Sequence, residues 1–275
     1  LSWWAIGYNE EKVDFLFKIK NWPSRVQFNS FLKGKKSGGK MAIKKFTIPL
    51  AALTLVSLGT LGAAVAFEPP PGQDAPKQTA GGGVRGGNCP ATIGAEVKGT
   101  PLTLLLPESG LGLTVADRPT FMAYVPPTSA TEVEFTIRDD REEFAYRTKV
   151  SIDGKGGVVS VSLPANLPPL EAGKDYMWSV AMVCEPGDRL QDVVAQGYIR
   201  RVQPDSNLTS QLANAAPLSQ ADVYGKAGIW FETLNTLAQL RKAQPTNPKL
   251  AASWQELLES EAVKLEAIAG AELVD

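Results

Sequence analysis

Histidine is absent from the 275 residues, and cysteine occurs only twice. Without an imidazole there can be no Ser-His-Asp triad, no Cys-His pair and no metal site with a histidine ligand. Neither cysteine stands in a C-x-x-C setting, which removes the usual redox motif. Neither sign of charge dominates. Lys+Arg number 28 and Asp+Glu 29, a net charge of −1, so electrostatics offers no reason to expect nucleic acid as a partner. What is present is the balance of a globular protein, 44% hydrophobic and 21% charged.

The even balance conceals a split. Residues 1–66 hold 10 of the basic side chains and only Glu10, Glu11 and Asp14 as acids. Residues 67–275 hold 18 basic and 26 acidic side chains. The boundary has a mechanical reading. Met41-Ala42-Ile43-Lys44-Lys45 is a short basic start, Phe46 to Leu61 is almost wholly apolar, and Ala64-Val65-Ala66 has the small-x-small form of a peptidase site. That order predicts a secretory signal peptide over 41–66, cleaved near Ala66, and a periplasmic or extracellular mature chain. The rival is an uncleaved anchor, since Phe46–Ala66 is near the length that spans a bilayer. Pro49 and the Gly and Thr interruptions count against it. No cysteine follows the cleavage site to carry a lipid. Residues 1–40 show no clean period and precede a complete signal peptide. They read as upstream sequence or a mis-called start, with an extended cytoplasmic arm as the alternative.

A Pro/Gly-rich neck is expected over 67–99. Phe67-Glu68-Pro69-Pro70-Pro71-Gly72 opens it and Gly81-Gly82-Gly83-Val84-Arg85-Gly86-Gly87 follows, so regular structure is not expected there. One Arg between glycines on an acidic exported chain is not an RNA-binding tract. No apolar strand leads into the glycines, as a dinucleotide loop requires. Export into an oxidising compartment makes a Cys89–Cys184 disulfide the simplest use of the two cysteines.

Residues 100–204 read as short strands. Leu102–Leu106, Gly112–Val115, Thr120–Val125, Glu132–Arg138, Glu143–Val150, Val158–Leu163, Tyr176–Cys184 and Val193–Val202 are each bounded by Pro, Gly or charged turns. Strict alternation puts Val133, Phe135 and Ile137 on one face. Such a set predicts a β-sandwich. Leu170 to Val180 resembles the corner before strand F of immunoglobulin-like and fibronectin type III domains, where a tyrosine hydroxyl bonds the backbone upstream. Tyr176 takes that role. Trp178 shares its face and reads as core rather than a ligand platform.

The densest charge, Arg138-Asp139-Asp140-Arg141-Glu142-Glu143, has two readings. A calcium loop would use the carboxylates, but EF-hand spacing is absent and two arginines compete with the ion. The plainer reading is a solvated hairpin tip.

After residue 205 the period changes from two to 3.6. Asn207–Ala213 reads as a short helical turn. Ser219 reads as a helix cap with Leu218 and Val223 as a staple. Val223, Ala227, Trp230, Leu234 and Leu237 then form a stripe that carries one helix to about Ala243. Asn247-Pro248 caps a second helix, lined by Leu250, Trp254, Leu257 and Leu258. Lys264–Ala269 adds a last short one. The stripe can cover the sandwich, or Trp230, Phe231 and Trp254 can line a groove for a partner. One helix pair is too few for a tetratricopeptide array.

These pieces occur in a particular order: Phe67-x-Pro69-Pro70, Arg85-Gly86-x-x-Cys89, Asp117-Arg118-Pro119-Thr120-Phe121, Tyr176-x-Trp178 into Cys184, Gly228-Ile229-Trp230-Phe231-Glu232-Thr233-Leu234, and Trp254-x-x-Leu257-Leu258. In combination they resemble the cyanobacterial domain-of-unknown-function family numbered nine hundred twenty-eight, over nearly all of residues 67–270. The resemblance implies an exported cyanobacterial protein with a sandwich-plus-helix layout. It brings no catalytic residues.

The expectation is therefore an immunoglobulin/fibronectin-III-like β-sandwich followed by a C-terminal helical hairpin over 205–275. Cys89 and Cys184 form the disulfide, and Tyr176, Trp178, Trp230 and Trp254 form the structural core. No catalytic, cofactor or metal residue is expected. The functional expectation is a non-enzymatic binding module that contacts another envelope protein and meets the membrane only during export. The alternative is a polysaccharide-binding or carbohydrate-active sandwich, whose aromatic rings would stack on sugar faces. Chemistry by paired carboxylates needs no histidine and is left open.

Overall fold

The structure is a computed structural model and describes residues 65–72, 89, 99–139, 141 and 144–274. The expectations for residues 1–64, for the glycine-rich part of the neck, and for Asp140, Glu142 and Glu143 lie outside the described residues.

Eight strands follow in chain order: β1 (Thr103–Leu104), β2 (Leu111–Thr114), β3 (Thr120–Val125), β4 (Glu132–Asp139), β5 (Ala145–Ser151), β6 (Gly157–Ser162), β7 (Asp175–Met182) and β8 (Val193–Arg201). They make two sheets, one of order β1-β3-β6 and one of order β2-β8-β7-β4-β5. All pairings are antiparallel except β2 with β8, where Leu111 lies opposite Tyr198 and Thr114 opposite Arg201. Alternation works as read: Val133, Phe135 and Ile137 of β4 and Tyr176, Trp178, Val180 and Met182 of β7 all point inward and are buried. Phe121 of the smaller sheet sits 4.9 Å, centroid to centroid, from both Phe135 and Trp178 of the larger. These contacts between facing sheets make the fold an immunoglobulin/fibronectin-III-like sandwich. The first strand is shorter than the Leu102–Leu106 reading: Thr103 and Leu104 lie in register with Tyr124 and Ala123, and Leu105 adds one more bond, its N–H donating to the Met122 carbonyl at 3.0 Å.

The helices are α1 (Ser206–Ala213), α2 (Pro217–Lys226), α3 (Trp230–Ala243) and α4 (Pro248–Glu259). The stripe from Val223 to Leu237 does not carry one helix. It breaks at Gly228, whose φ is +71°. The cause lies far away in sequence. Residues 67–70, read as the start of a structureless neck, and Val65–Ala66, read as the end of the signal peptide, run across this point as a packed strap. Phe67 is buried edge-on to Trp230 at 4.9 Å, and the Glu68 N–H donates to the Gly225 carbonyl at 3.0 Å. A Cβ on Gly228 would stand 2.4 Å from Pro70 Cδ. The helix yields so that the strap can pass. Ser219 is not a cap either. Pro217 occupies the first turn after Ala216, since its fixed φ is already helical. Leu218 and Val223 pack into different apolar clusters, so no staple joins them. Asn247 does cap α4, accepting from the Lys249 N–H at 3.1 Å, with Pro248 at the first helical position.

α3 closes one open side of the sandwich. Phe231 reaches Phe121 at 5.3 Å, and the Trp230 indole N–H donates to the Leu105 carbonyl at 2.8 Å. α4 then packs on α3 as a hairpin through Trp254, Leu257 and Leu258. Trp230, Phe231 and Trp254 are all buried, so no groove opens between them. β2 lies between layers. A Cβ on Gly112 would collide with the rings of Phe231 and Trp230, while Leu111 and Leu113 pack with Leu208 of α1.

Candidate interaction site

Each residue singled out in sequence has a place inside the fold. Cys89 and Cys184 form a disulfide with Cα atoms 5.2 Å apart, spanning 95 residues. Tyr176 forms a tyrosine corner: its hydroxyl accepts the Glu171 backbone N–H at 2.9 Å. Trp178, Trp230 and Trp254 are wholly buried, on β7, α3 and α4 respectively. The structure thus brings Tyr176, Trp178 and Trp230 into the common core, and none of them faces solvent.

In the charged hairpin region Arg141 is exposed, as a solvated tip requires, but Asp139 departs from that reading. Asp139 is buried at the end of β4, with Lys174 Nζ 2.6 Å from its Oδ2. The lysine also approaches Glu171 at 3.4 Å and lies 5.7 Å from the Tyr176 ring centroid. The hydrogen bond to Asp139 pushes the Lys174 pKa far up. The Asp139 carboxylate is thus paired with a lysine, a poor arrangement for holding a cation. Among the described residues no group of three or more Asp, Glu or Cys is placed to hold a metal ion.

The feature that points outward is the β7–β8 loop, which leaves the sheet next to the disulfide. Glu185-Pro186-Gly187-Asp188 turns the chain, with the Asp188 N–H bonded to the Glu185 carbonyl at 3.0 Å. Arg189–Gln191 then form one 3₁₀ turn. Asp188 caps it, accepting from the Leu190 N–H at 3.2 Å and the Gln191 side-chain amide at 3.1 Å. Arg189 ties the turn to the sheet, donating to Glu134 on β4 at 3.1 Å and bonding Asp192 at the loop's end. Those two carboxylates raise the Arg189 pKa, Glu134 most. Held on this braced turn, Leu190 is 97% exposed, the only large hydrophobic side chain so exposed among the described residues. Sequence reading passed over it. The signal was there in a lone leucine within Asp188-Arg189-Leu190-Gln191-Asp192, an otherwise polar loop whose apolar residue no strand or helix period explains.

The comparisons with known proteins bear on this arrangement. The family described as "Domain of Unknown Function (DUF928)" matches residues 80–273, a stretch that takes in both sheets and all four helices. The chain belongs to the DUF928 family. No curated protein matches it. Among solved structures it is similar to the fn3 domain of the human collagen alpha-1(XX) chain, at 13% identity and a TM-score of 0.25, over 42% of this chain and 93% of that one. The sandwich assignment rests on the sheets and the tyrosine corner of this DUF928 chain themselves.

A carboxylate that the sequence did not flag stands at the start of α3. Glu232 Oε1 accepts from the Thr114 hydroxyl at 2.6 Å, the Ala116 N–H at 2.9 Å and the Val115 N–H at 3.2 Å, clamping the helix to the end of β2. Its Oε2 is buried without a hydrogen-bond partner. Burial raises its pKa, against the pull of those hydrogen bonds. These bonds make Glu232 a clamp between α3 and the end of β2.

Proposed function

We propose that this DUF928 protein is an exported, non-enzymatic interaction module of the cell envelope, and that its β7–β8 loop makes the contact. The observation that carries the reading is Leu190, an apolar side chain presented nearly whole on a turn braced by Asp188 and Arg189. A protein gains nothing in its own fold from ordering a leucine in water, whereas a preordered apolar anchor lowers the cost of seating it in a partner's pocket. Loops at the ends of immunoglobulin-like sandwiches are the usual place for such contacts. The disulfide fits an oxidising compartment, consistent with export by the Met41–Ala66 segment. No helix among the described residues is long and apolar enough to cross a membrane. The sugar-binding alternative draws no support from the described residues, where every tryptophan is buried and no aromatic ring is more than partly exposed.

The test uses the full chain produced in its own cells, tagged at the C-terminus, crosslinked and captured beside a Leu190→Asp variant. One envelope protein recovered with the parent and depleted at least about tenfold with the variant is the expected result, since burying a charge against an apolar pocket is strongly unfavourable. Equal recovery from both would reject the loop as the contact, and recovery of glycan alone would reject the module.

A further inference from the structure

The acids around Leu190 outnumber the bases. The β7–β8 loop carries Glu185, Asp188 and Asp192, and Glu134 stands beside it on β4. Two guanidinium groups answer them. Arg189 bridges Glu134 and Asp192, and Arg147 of β5 lies 3.8 Å from Glu134. Four carboxylates and two guanidiniums leave a net charge of −2. The next pair along the sheet, Lys149 with Glu132, is neutral and does not change that balance.

The surplus belongs to Asp188 and Glu185. Asp188 spends both oxygens on neutral donors, the Leu190 N–H and the Gln191 amide, so its charge is fixed beside Leu190 without a counter-ion. The cap itself does not require that charge, because an asparagine oxygen accepts the same N–H. Glu185 is exposed and has no ion pair among the described residues. Its Oε1 lies over Gly187, 3.8 Å from where a Cβ would stand. An apolar anchor flanked by uncompensated carboxylates repels anionic surfaces, such as acidic lipid headgroups, and attracts basic ones. Resting on the reading that Leu190 makes the contact, we propose that its partner is a protein whose apolar pocket for Leu190 is rimmed by Lys or Arg side chains that face Glu185 and Asp188. An apolar centre with a charged rim is the ordinary anatomy of a protein interface, and complementary rim charges set partner choice and the rate of encounter.

The test places a photoreactive residue at position 190 of the full chain and irradiates it in an envelope preparation of its own cells. Salt is set at about 0.01 M and about 1 M, where the screening length falls from about 30 Å to about 3 Å. Adduct to one protein is expected, with a yield about tenfold lower at high salt. At low salt Glu185→Gln and Asp188→Asn, which keep shape and cap but remove charge, should each lower the yield about threefold, and Glu185→Lys by more. An adduct whose yield is unchanged or raised in both neutral variants, whatever its salt dependence, would overturn the basic rim and leave the loop contact standing. No protein adduct at either salt would remove the loop contact and the rim with it. Co-sedimentation of the full chain with phosphatidylglycerol vesicles, lost in Leu190→Asp, would replace the protein partner with a lipid surface and overturn the proposal.

Discussion

Trp230 and Trp254 are equally buried, yet only Trp230 has an acceptor for its indole N–H. Trp230→Phe removes a hydrogen bond and strands the Leu105 carbonyl, at a cost of about 1–3 kcal/mol beyond the lost ring area. Trp254→Phe deletes a donor that had no partner. It should therefore cost less than Trp230→Phe, and urea midpoints at unchanged slope will rank the two. Glu232 yields a prediction in pH. Its folded pKa lies above the ordinary 4.5, so the ionised form is the one that folding disfavours. Its contribution is fully present below the ordinary carboxylate value and is lost as pH rises through the raised folded value. Glu232→Gln should remove that loss, so the variant's stability relative to the parent improves from about pH 4.5 upward. Parallel urea midpoints for the two proteins across that range would contradict the prediction.

At the scale of elements, the strap over α2 and α3 is the part that the period of the sequence could not reveal. Val223, Ala227 and Trp230 fall at steps of 4 and 3, so the apolar stripe runs through the break without a gap. The break is imposed by Pro70 approaching Gly228 and by the Ala66 carbonyl lying 2.0 Å from where a Gly225 Cβ would be. Glycines at 225 and 228 were legible as residues, but their reason is a contact more than 150 residues away in the chain. Phe67→Ala should destabilise the fold by about 3 kcal/mol, the usual cost of emptying a buried aromatic site. Gly228→Ala should cost at least about 1 kcal/mol from its positive φ alone, and more from the Pro70 collision. Chemical denaturation measures both. If either change is neutral, the strap is not packed as described. The strands, by contrast, were legible because their information is local: alternation on β4 and β7 and proline or glycine at the ends. Asp139 was misplaced because its position depends on Lys174, which comes from another strand's approach.

For the whole molecule, the disulfide joins Cys89, ahead of the first strand, to the end of β7. Closing a loop of 95 residues limits the unfolded chain, and loop entropy puts the gain at about 4–5 kcal/mol as an upper value. The Cys89→Ala, Cys184→Ala double variant should lose most of that, and parent protein under reductant should approach it. The sandwich, the tyrosine corner and the core tryptophans could all be read from residue pattern. Leu190 stood out in sequence as a lone leucine in a polar loop, but its exposure did not, because exposure is a property of the assembled loop: it takes Glu134 on a neighbouring strand to hold Arg189, and Arg189 to hold the turn.

The most direct measurement is site-specific photo-crosslinking in living cells, with the photoreactive residue placed at position 190 of the full chain and, as a control, at Lys149 on the outer face of β5. One dominant protein adduct from position 190, absent from position 149, is the predicted result. No adduct from 190, or the same diffuse set from both positions, would contradict the assignment of this chain as an interaction module that binds through its β7–β8 loop.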